Sequence, residues 1–363
     1  MTTNENTKPL IAFTGGGTGG HVFPGLAVIE ELRNRGYVNI VWIGSRGGME
    51  EDIVKRAGIP YYGVPSGKLR RYFSLRNFTD FFKIFGGFLK SRRILKKLKP
   101  KVLFSKGGFV SVPPVAAAKG LKIPCLTHES DADPGLATRI NARSVKKIFV
   151  PYEETLKYFP GKKNVMVTGN PVRRIFYEGN KAKGKAFFGI KNDKPLILVL
   201  GGSSGAQQIN GLIEAILPRL TERYNVVHQM GIKNFRESGL PGYYPAPFFR
   251  EELADILAAA DLAVSRAGAG SLWELAASGT PAVLIPLSTG SSRGDQIRNG
   301  EIFEKAGMAR VLSGKDAEPE TLLNLINSLF DSADKLGDMR KKASELASGR
   351  AAERLAEEII KEL

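Results

Sequence analysis

Cysteine is almost missing from this chain. Cys125 is the only one in 363 residues, so no internal disulfide can form. That agrees with a reducing compartment, since disulfide-built domains belong to oxidising ones. Long apolar runs are missing too. No stretch of about 18 apolar residues occurs, so no bilayer-spanning helix is expected. The opening MTTNENTKPL is polar and lacks the apolar core of a secretory signal. No low-complexity segment is present. Acid is scarce in one place above all. Between Lys68 and Lys101, Asp80 is the sole acid among many lysines and arginines.

What is present describes a globular protein with ample core material: 42% of residues are hydrophobic and 25% charged. The length suggests two domains of ordinary size. The net charge of +17 favours an anionic partner, whether nucleic acid, an anionic membrane surface or a phosphorylated substrate.

Short apolar runs alternate with stretches long enough for a helix. Residues 10–13, 40–43, 102–104, 124–127, 148–150 and 165–167 read as buried strands, as do 195–200, 225–229, 262–265 and 282–286. This rhythm is that of α/β, doubly wound parallel sheets. PLIAFTGG at 9–16 is echoed by PLILVLGG at 195–202, and each continues into a small-residue loop and then a helix. A duplicated Rossmann-like architecture puts such an echo at the start of each half. The expected domains are 1–170 and 171–342. Leu355, Ile359 and Leu363 then recur at helical spacing in a final amphipathic helix over 343–363, which is expected to return to the first domain.

Gly15, Gly17 and Gly20 match the dinucleotide pattern G-x-G-x-x-G. Glycines there let backbone N–H groups approach a phosphate, and a helix N-terminus adds partial positive charge. A dinucleotide site also wants a carboxylate about 20 residues on. The second strand instead ends in Gly44-Ser45-Arg46, with no acid until Glu50. Arg46 would suit NADP, so an oxidoreductase stands as a rival reading. His21, directly after the last glycine, is placed in the first helical turn, where the helix end disfavours imidazolium and leaves a ring able to accept a proton.

Gly107-Gly108 and the run Gly201 to Gly205 also follow apolar strands, so three glycine turns at strand ends would line one cleft. In LAVSRAGAGSLWELAASGTP, small residues at 267–271 open a helix carrying Glu274, a carboxylate able to accept bonds from vicinal ribose hydroxyls. Asp295 and Gln296 follow the next strand and suit sugar hydroxyls. Asp131-Ala132-Asp133 spells DxD, but Asp133-Pro134-Gly135 reads as a turn, and no His/Cys ligands cluster nearby, so no metal is expected there.

Together GGTGGHVFPGLA (16–27), KGGFVSVP (106–113), HESD…PGLA (128–137), GNPVR (169–173), GGSSGA (201–206) and SRAGA…WELAASGTP (265–281) resemble the MurG family of peptidoglycan N-acetylglucosaminyltransferases over essentially the whole chain. The resemblance implies a GT-B fold, with two Rossmann-like domains facing across a cleft. It implies inverting transfer of N-acetylglucosamine from its UDP donor to the C4 hydroxyl of N-acetylmuramic acid on lipid I, without cofactor or metal. His21 then stands as the base. Arg173 and Ser203 fall on diphosphate positions, Glu274 on ribose and Gln296 on sugar. The donor set also takes in Thr18, Gly19, Gly20, Ser204, Gly205, Arg250, Gly268, Ala269 and Asp295. Gly107, Gly108, His128, Glu129 and Asp131 fall on the acceptor side. The chain has HESD where many members read HEQN, and Asp295-Gln296 where many read HQ.

Phe78, Phe81, Phe82, Phe85, Phe88 and Leu89 recur at helical spacing, flanked by basic residues that include Lys68, Arg70 and Arg71. A soluble core is one use for them. The other is a lipid surface, because a polyprenyl-linked acceptor cannot leave its membrane; each nearby basic residue then contributes about 1 kcal/mol. The protein is expected on the cytoplasmic face of a bacterial inner membrane as a peripheral enzyme, with no nucleic-acid partner. A nucleic-acid-binding module and a related GT-B enzyme acting on diacylglycerol are the other rivals.

Overall fold

A computed structural model describes residues 8–67, 76–201, 205–288 and 294–363. The chain forms two compact units, one built from the segment up to Arg173 together with Gly349–Leu363, the other from Arg174–Ser348.

Among the described residues the first unit holds seven strands: β1 (Ile11–Thr14), β2 (Ile40–Ser45), β3 (Tyr61–Val64), β4 (Val102–Ser105), β5 (Cys125–His128), β6 (Lys147–Val150) and β7 (Val165–Val167). They lie in the order β3-β2-β1-β4-β5-β6-β7 and every pairing is parallel. The helices between them are α1 (Phe23–Asn34), α2 (Met49–Arg56), α3 (Arg76–Leu98), α4 (Val112–Gly120) and α5 (Leu136–Asn141).

The second unit repeats the plan with β8 (Leu196–Leu200), β9 (Asn225–Gln229), β10 (Tyr243–Ala246), β11 (Leu262–Ser265), β12 (Ala282–Leu284) and β13 (Ala309–Val311). Its order is β10-β9-β8-β11-β12-β13, again parallel throughout. Its helices are α6 (Lys181–Phe187), α7 (Gln207–Arg223), α8 (Leu253–Ala259), α9 (Ala269–Ala277), α10 (Asp295–Lys305), α11 (Pro319–Phe330) and α12 (Ala333–Ala347). The two echoed segments become β1 and β8, the central strands at which each sheet reverses its order. That reversal is where α/β sheets open a crevice for ligands.

All ten strands expected from apolar runs are present. Three others, β3, β10 and β13, were not foreseen. Each lies at the edge of its sheet, and their sequences YYGV, YYPA and ARV carry only partial burial. An edge strand covered on one face does not need the continuous apolar run of a central one. Along β1, Ile11 and Phe13 enter one core cluster while Ala12 enters the cluster on the opposite face. The Phe13 ring packs against Trp42 and Phe104 with centroids 6.0 and 5.2 Å away.

The carboxyl-terminal segment is two helices, not one. Arg350, at φ 41°, breaks the chain between α12 and α13 (Ala351–Ile360). Leu355, Ala356 and Ile359 of α13 are fully buried in the core of the first unit, and each Leu or Ile buried in this way contributes about 1.5–3 kcal/mol. Lys147 clamps the same helix, with Nζ 2.6 Å from Glu358 and 3.4 Å from Glu362.

Candidate functional site

In the first unit, the turn after β1 is held from below by a carboxylate. Glu50, in the first turn of α2, is fully buried. Its Oε1 accepts the Ser45 N–H at 2.9 Å and the Ser45 hydroxyl, and its Oε2 accepts the Gly17 N–H at 3.3 Å. A Cβ on Gly16 would collide with this carboxylate, and one on Gly17 would lie 2.5 Å from the Phe109 ring. Gly17 also sits at φ 87°, where a side chain is strained. Trp42 Nε1 donates to the Gly15 carbonyl at 3.1 Å.

His21 closes a 3₁₀ turn, Gly19–His21, whose N-cap is Thr18; it therefore precedes α1 instead of lying in its first turn. Thr18 and Gly20 are exposed, and Gly19 and His21 partly so. The imidazole lies against the second glycine turn. A Cβ on Gly108 would come within 2.9 Å of His21 Cδ2, and one on Gly107 within 3.8 Å of His21 Nδ1. Both glycines have positive φ, 85° and 75°. Gly107 N–H donates to Ser105 Oγ at 3.2 Å, and Ser111 Oγ donates to the Gly108 carbonyl at 2.8 Å, so this turn is pinned at both ends.

The segment after β5 is built around Glu129. Its Oε1 accepts N–H groups of Ser130 (2.7 Å) and Asp131 (3.1 Å), and its Oε2 accepts that of Gly135 (3.0 Å). Glu129 is thus an organiser of the loop, whereas Asp131 is half-exposed. The partner of this loop is Lys106, only 1% exposed, which donates to Ser130 Oγ at 2.5 Å. Burial pulls the Lys106 ammonium down to about 8, against the opposing pull of Glu129 and Asp131. His128 is fully buried, and Nε2 donates to the Gly169 carbonyl at 2.9 Å. Burial first, then Lys106, holds its imidazole neutral. Asn170 Nδ2 returns to the Ser130 carbonyl at 2.9 Å. The loops after β4, β5 and β7 are thereby cross-linked. Arg173, at the end of that last loop, places its guanidinium 5.8 Å from the centroid of the Phe23 ring. Within the DxD, the Tyr158 hydroxyl donates to Asp133 Oδ1, and no cluster of metal ligands occurs among the described residues.

In the second unit, Ser203 and Ser204 lie outside the described residues. Gly205, at φ 76°, has no room for a Cβ beneath the Met230 carbonyl. Gly268 is the N-cap of α9, Ala269 its first residue, and Glu274 lies on the next turn, half-buried. Asp295 and Gln296 open α10 after the left-handed Gly294. Gln296 Oε1 accepts the Leu287 N–H at 3.1 Å, tying the head of α10 to the segment after β12. Arg266 does the same for β11: its Nη1 donates to Gln208 Oε1 and the Ile285 carbonyl, both at 2.8 Å. Arg250 is exposed beside Phe249, whose N–H is held by Gln229 Oε1 at 2.8 Å. His228 is structural, bound to Tyr243 OH and Asn210 Oδ1.

Lys68, Arg70 and Arg71 lie outside the described residues; Phe78 and Phe81 belong to α3. Further along that helix Phe82, Phe85 and Leu89 are 59%, 55% and 39% exposed and share one face, which continues into exposed Arg92, Arg93 and Lys96. The opposite face, with Ser91 and Leu95 fully buried and Phe88 packed on the core, faces the sheet. No helix among the described residues is long and apolar enough to cross a membrane.

Glu50, Lys106, Asn170 and Arg266 were missed as site residues by sequence reasoning. Glu50 had left a signal as the first acid after the second strand, while Lys106, Asn170 and Arg266 lie inside the quoted motifs KGGFVSVP, GNPVR and SRAGA without having been singled out.

The glycosyltransferase family 28 N-terminal domain model matches residues 11–150, and the glycosyltransferase family 28 C-terminal domain model matches residues 196–358. A protein of Treponema denticola named UDP-N-acetylglucosamine–N-acetylmuramyl-(pentapeptide) pyrophosphoryl-undecaprenol N-acetylglucosamine transferase is 47% identical, over 94% of this chain and 93% of its own length. The protein of the same name from Treponema pallidum is 44% identical, over 98% of this chain and 96% of its own. Among solved structures, Acinetobacter baumannii MurG superposes with a TM-score of 0.77 at 28% identity, covering 98% of this chain and all of that one.

Proposed function

The chain belongs to glycosyltransferase family 28, among the MurG-type N-acetylglucosaminyltransferases of peptidoglycan synthesis, and we propose that it moves N-acetylglucosamine from UDP-N-acetylglucosamine to the C4 hydroxyl of N-acetylmuramic acid in lipid I, with inversion and without a metal ion. The observation that carries the donor half is the arrangement at the ends of β11 and β12. There the N-terminus of α9 at Gly268–Ala269, the Glu274 carboxylate and the Gln296 carboxamide belong to neighbouring helices of one unit. Backbone N–H groups and a helix dipole suit a diphosphate; a carboxylate one turn on suits the vicinal hydroxyls of a ribose. Ser203, Ser204 and Gly205 complete the diphosphate side, Arg250 borders the base, and Asp295 and Gln296 meet the sugar. Thr18, Gly19 and Gly20, on the turn that carries His21, approach the transferring sugar.

The first unit supplies the acceptor side through His21, Gly107, Gly108 and the loop from His128 to Asp131. The acceptor hydroxyl oxygen attacks the anomeric carbon from the face opposite UDP. Its proton passes to the His21 imidazole, the bond from that carbon to the β-phosphate oxygen breaks, and UDP leaves with the bonding pair. Loop N–H groups and Arg173 stabilise the charge on the leaving group. A positive field from the protein does what a divalent cation does in other transferases.

Phe82, Phe85 and Leu89 dock the enzyme on the cytoplasmic face of the inner membrane, with the basic end of the same helix face on anionic headgroups. The test is transfer of radiolabel from UDP-N-acetylglucosamine in excess EDTA, with a lipid I analogue or diacylglycerol as acceptor. Label in the lipid I analogue alone is expected. Label in diacylglycerol, or none until manganese is supplied, refutes it.

A further inference from the structure

The first unit carries a dinucleotide-type glycine turn, yet the proposed function gives it no nucleotide. In a G-x-G-x-x-G turn the second glycine lets the backbone come close to a pyrophosphate. Here that glycine is Gly17, and its N–H already points at Glu50 Oε2. The other carboxylate oxygen takes the N–H and hydroxyl of Ser45, which ends the second strand. On the far side, the Phe109 ring lies so close to Gly17 that a Cβ would sit 2.5 Å from it. Gly16 lacks room for a Cβ because the Glu50 side chain occupies the space, and Gly48 lacks it because the Ser45 hydroxyl and then the Glu50 carboxylate do. Glu50 is the first acid after the second strand, but it lies in the first turn of α2, five residues past Ser45 and beyond the strand end where a dinucleotide protein keeps the acid that holds its ribose. Its side chain is turned inward and fully buried.

We propose that Glu50 is a specificity-determining residue: its carboxylate fills the anion seat of the first glycine turn from inside the protein and so keeps phosphate groups out of that turn. Three donors, the Gly17 N–H, the Ser45 N–H and the Ser45 hydroxyl, make the seat, and a carboxylate oxygen satisfies each. An incoming pyrophosphate meets a fixed negative charge where the fingerprint would offer it N–H groups. The turn is left to position His21 and to approach uncharged hydroxyl groups.

Removing the carboxylate reopens the seat with its donors in place. The test is thermal unfolding of the full chain with and without millimolar inorganic pyrophosphate. Saturating UDP is present throughout, so that a nucleotide site in the second unit is filled in every sample. Glu50→Ala is expected to gain a midpoint rise of about 2–4 °C with pyrophosphate that the parent protein lacks. Glu50→Gln keeps the side-chain volume but turns an amide N–H₂ toward the Gly17 N–H. It is expected to show a smaller gain of the same sign, and it stands in if the alanine variant does not fold. Equal pyrophosphate shifts in parent and variants overturn the proposal. Failure of the parent to bind UDP would count against the donor site of the second unit and leave the pyrophosphate comparison readable.

Discussion

The Lys106 ammonium and the Ser130 hydroxyl meet at 2.5 Å with both residues buried, joining the loop after β4 to the loop after β5. Burial brings the lysine down to about 8 from an ordinary 10.5, so its charge is held at a net cost to stability of roughly 3 kcal/mol at neutral pH. Between about pH 8 and 10.5 the unfolded chain keeps this proton and the folded chain does not, so the lysine makes unfolding free energy rise with pH over that window. Cys125, pushed up to about 12 by burial, gives the opposite slope above its ordinary value and is common to parent and variant. Lys106→Met is therefore expected to lose the rise between pH 8 and 10.5 in denaturant titrations, and to match or exceed the parent midpoint at pH 7. Its turnover should fall on the order of 10–100-fold, because the loop bearing Asp131 loses its tie. A variant that is both less stable at pH 7 and fully active contradicts this role.

His21→Ala should lower the chemical step by about 10²–10⁴-fold. Donor affinity, measured by calorimetry, should stay near that of the parent, because His21 and the α9 site belong to different units. Unchanged single-turnover rates would remove the imidazole from the mechanism.

Glu274→Ala should weaken UDP-N-acetylglucosamine binding by about 1.5–3 kcal/mol, the range for lost hydrogen bonds to a charged group. The matching control is deoxyuridine diphosphate, whose ribose lacks the 2′-hydroxyl. It should bind parent and variant more nearly alike. Equal loss for both nucleotides would place the carboxylate away from the ribose.

Phe82→Ser combined with Phe85→Ser should weaken binding to anionic vesicles. Each ring is a little over half exposed, so about 2 kcal/mol together is at stake, roughly 30-fold in affinity. Binding of the parent should also fall as salt rises, through Arg92, Arg93 and Lys96. Salt-independent binding, or parent-like binding by the double variant, would mean that this face of α3 meets something other than lipid.

Much of the fold was legible because central strands buried on both faces need unbroken apolar runs. Leu10–Phe13 and Leu196–Leu200 announce themselves in this way, and their echo locates the two sheet centres. Edge strands such as Tyr61–Val64 do not, since one covered face is enough. The helical spacing of the α3 aromatics was equally visible, but spacing alone assigns no face. Tertiary packing assigns it: Gly87 lies beneath the Pro65 carbonyl and against Pro113, and Ser91 and Leu95 are fully buried on the same side, so Phe88 turns inward while Phe82 and Phe85 stay out. The glycine turns and His21 could be read from sequence because each is a local pattern. Glu50 and Lys106 could not, because each acts on a loop that only the sheet brings near: Glu50 lies 33 positions from Gly17, and Lys106 lies 24 from Ser130.

A crystal structure with UDP and excess EDTA tests the division of labour most directly. The expected map has the diphosphate against Gly268–Ala269 and the 201–205 turn, the ribose on Glu274, and the Glu50 carboxylate still seated under Gly17. A nucleotide bound at the Gly15–Gly20 turn, or one ordered in the second unit only when a divalent ion is restored, would contradict it.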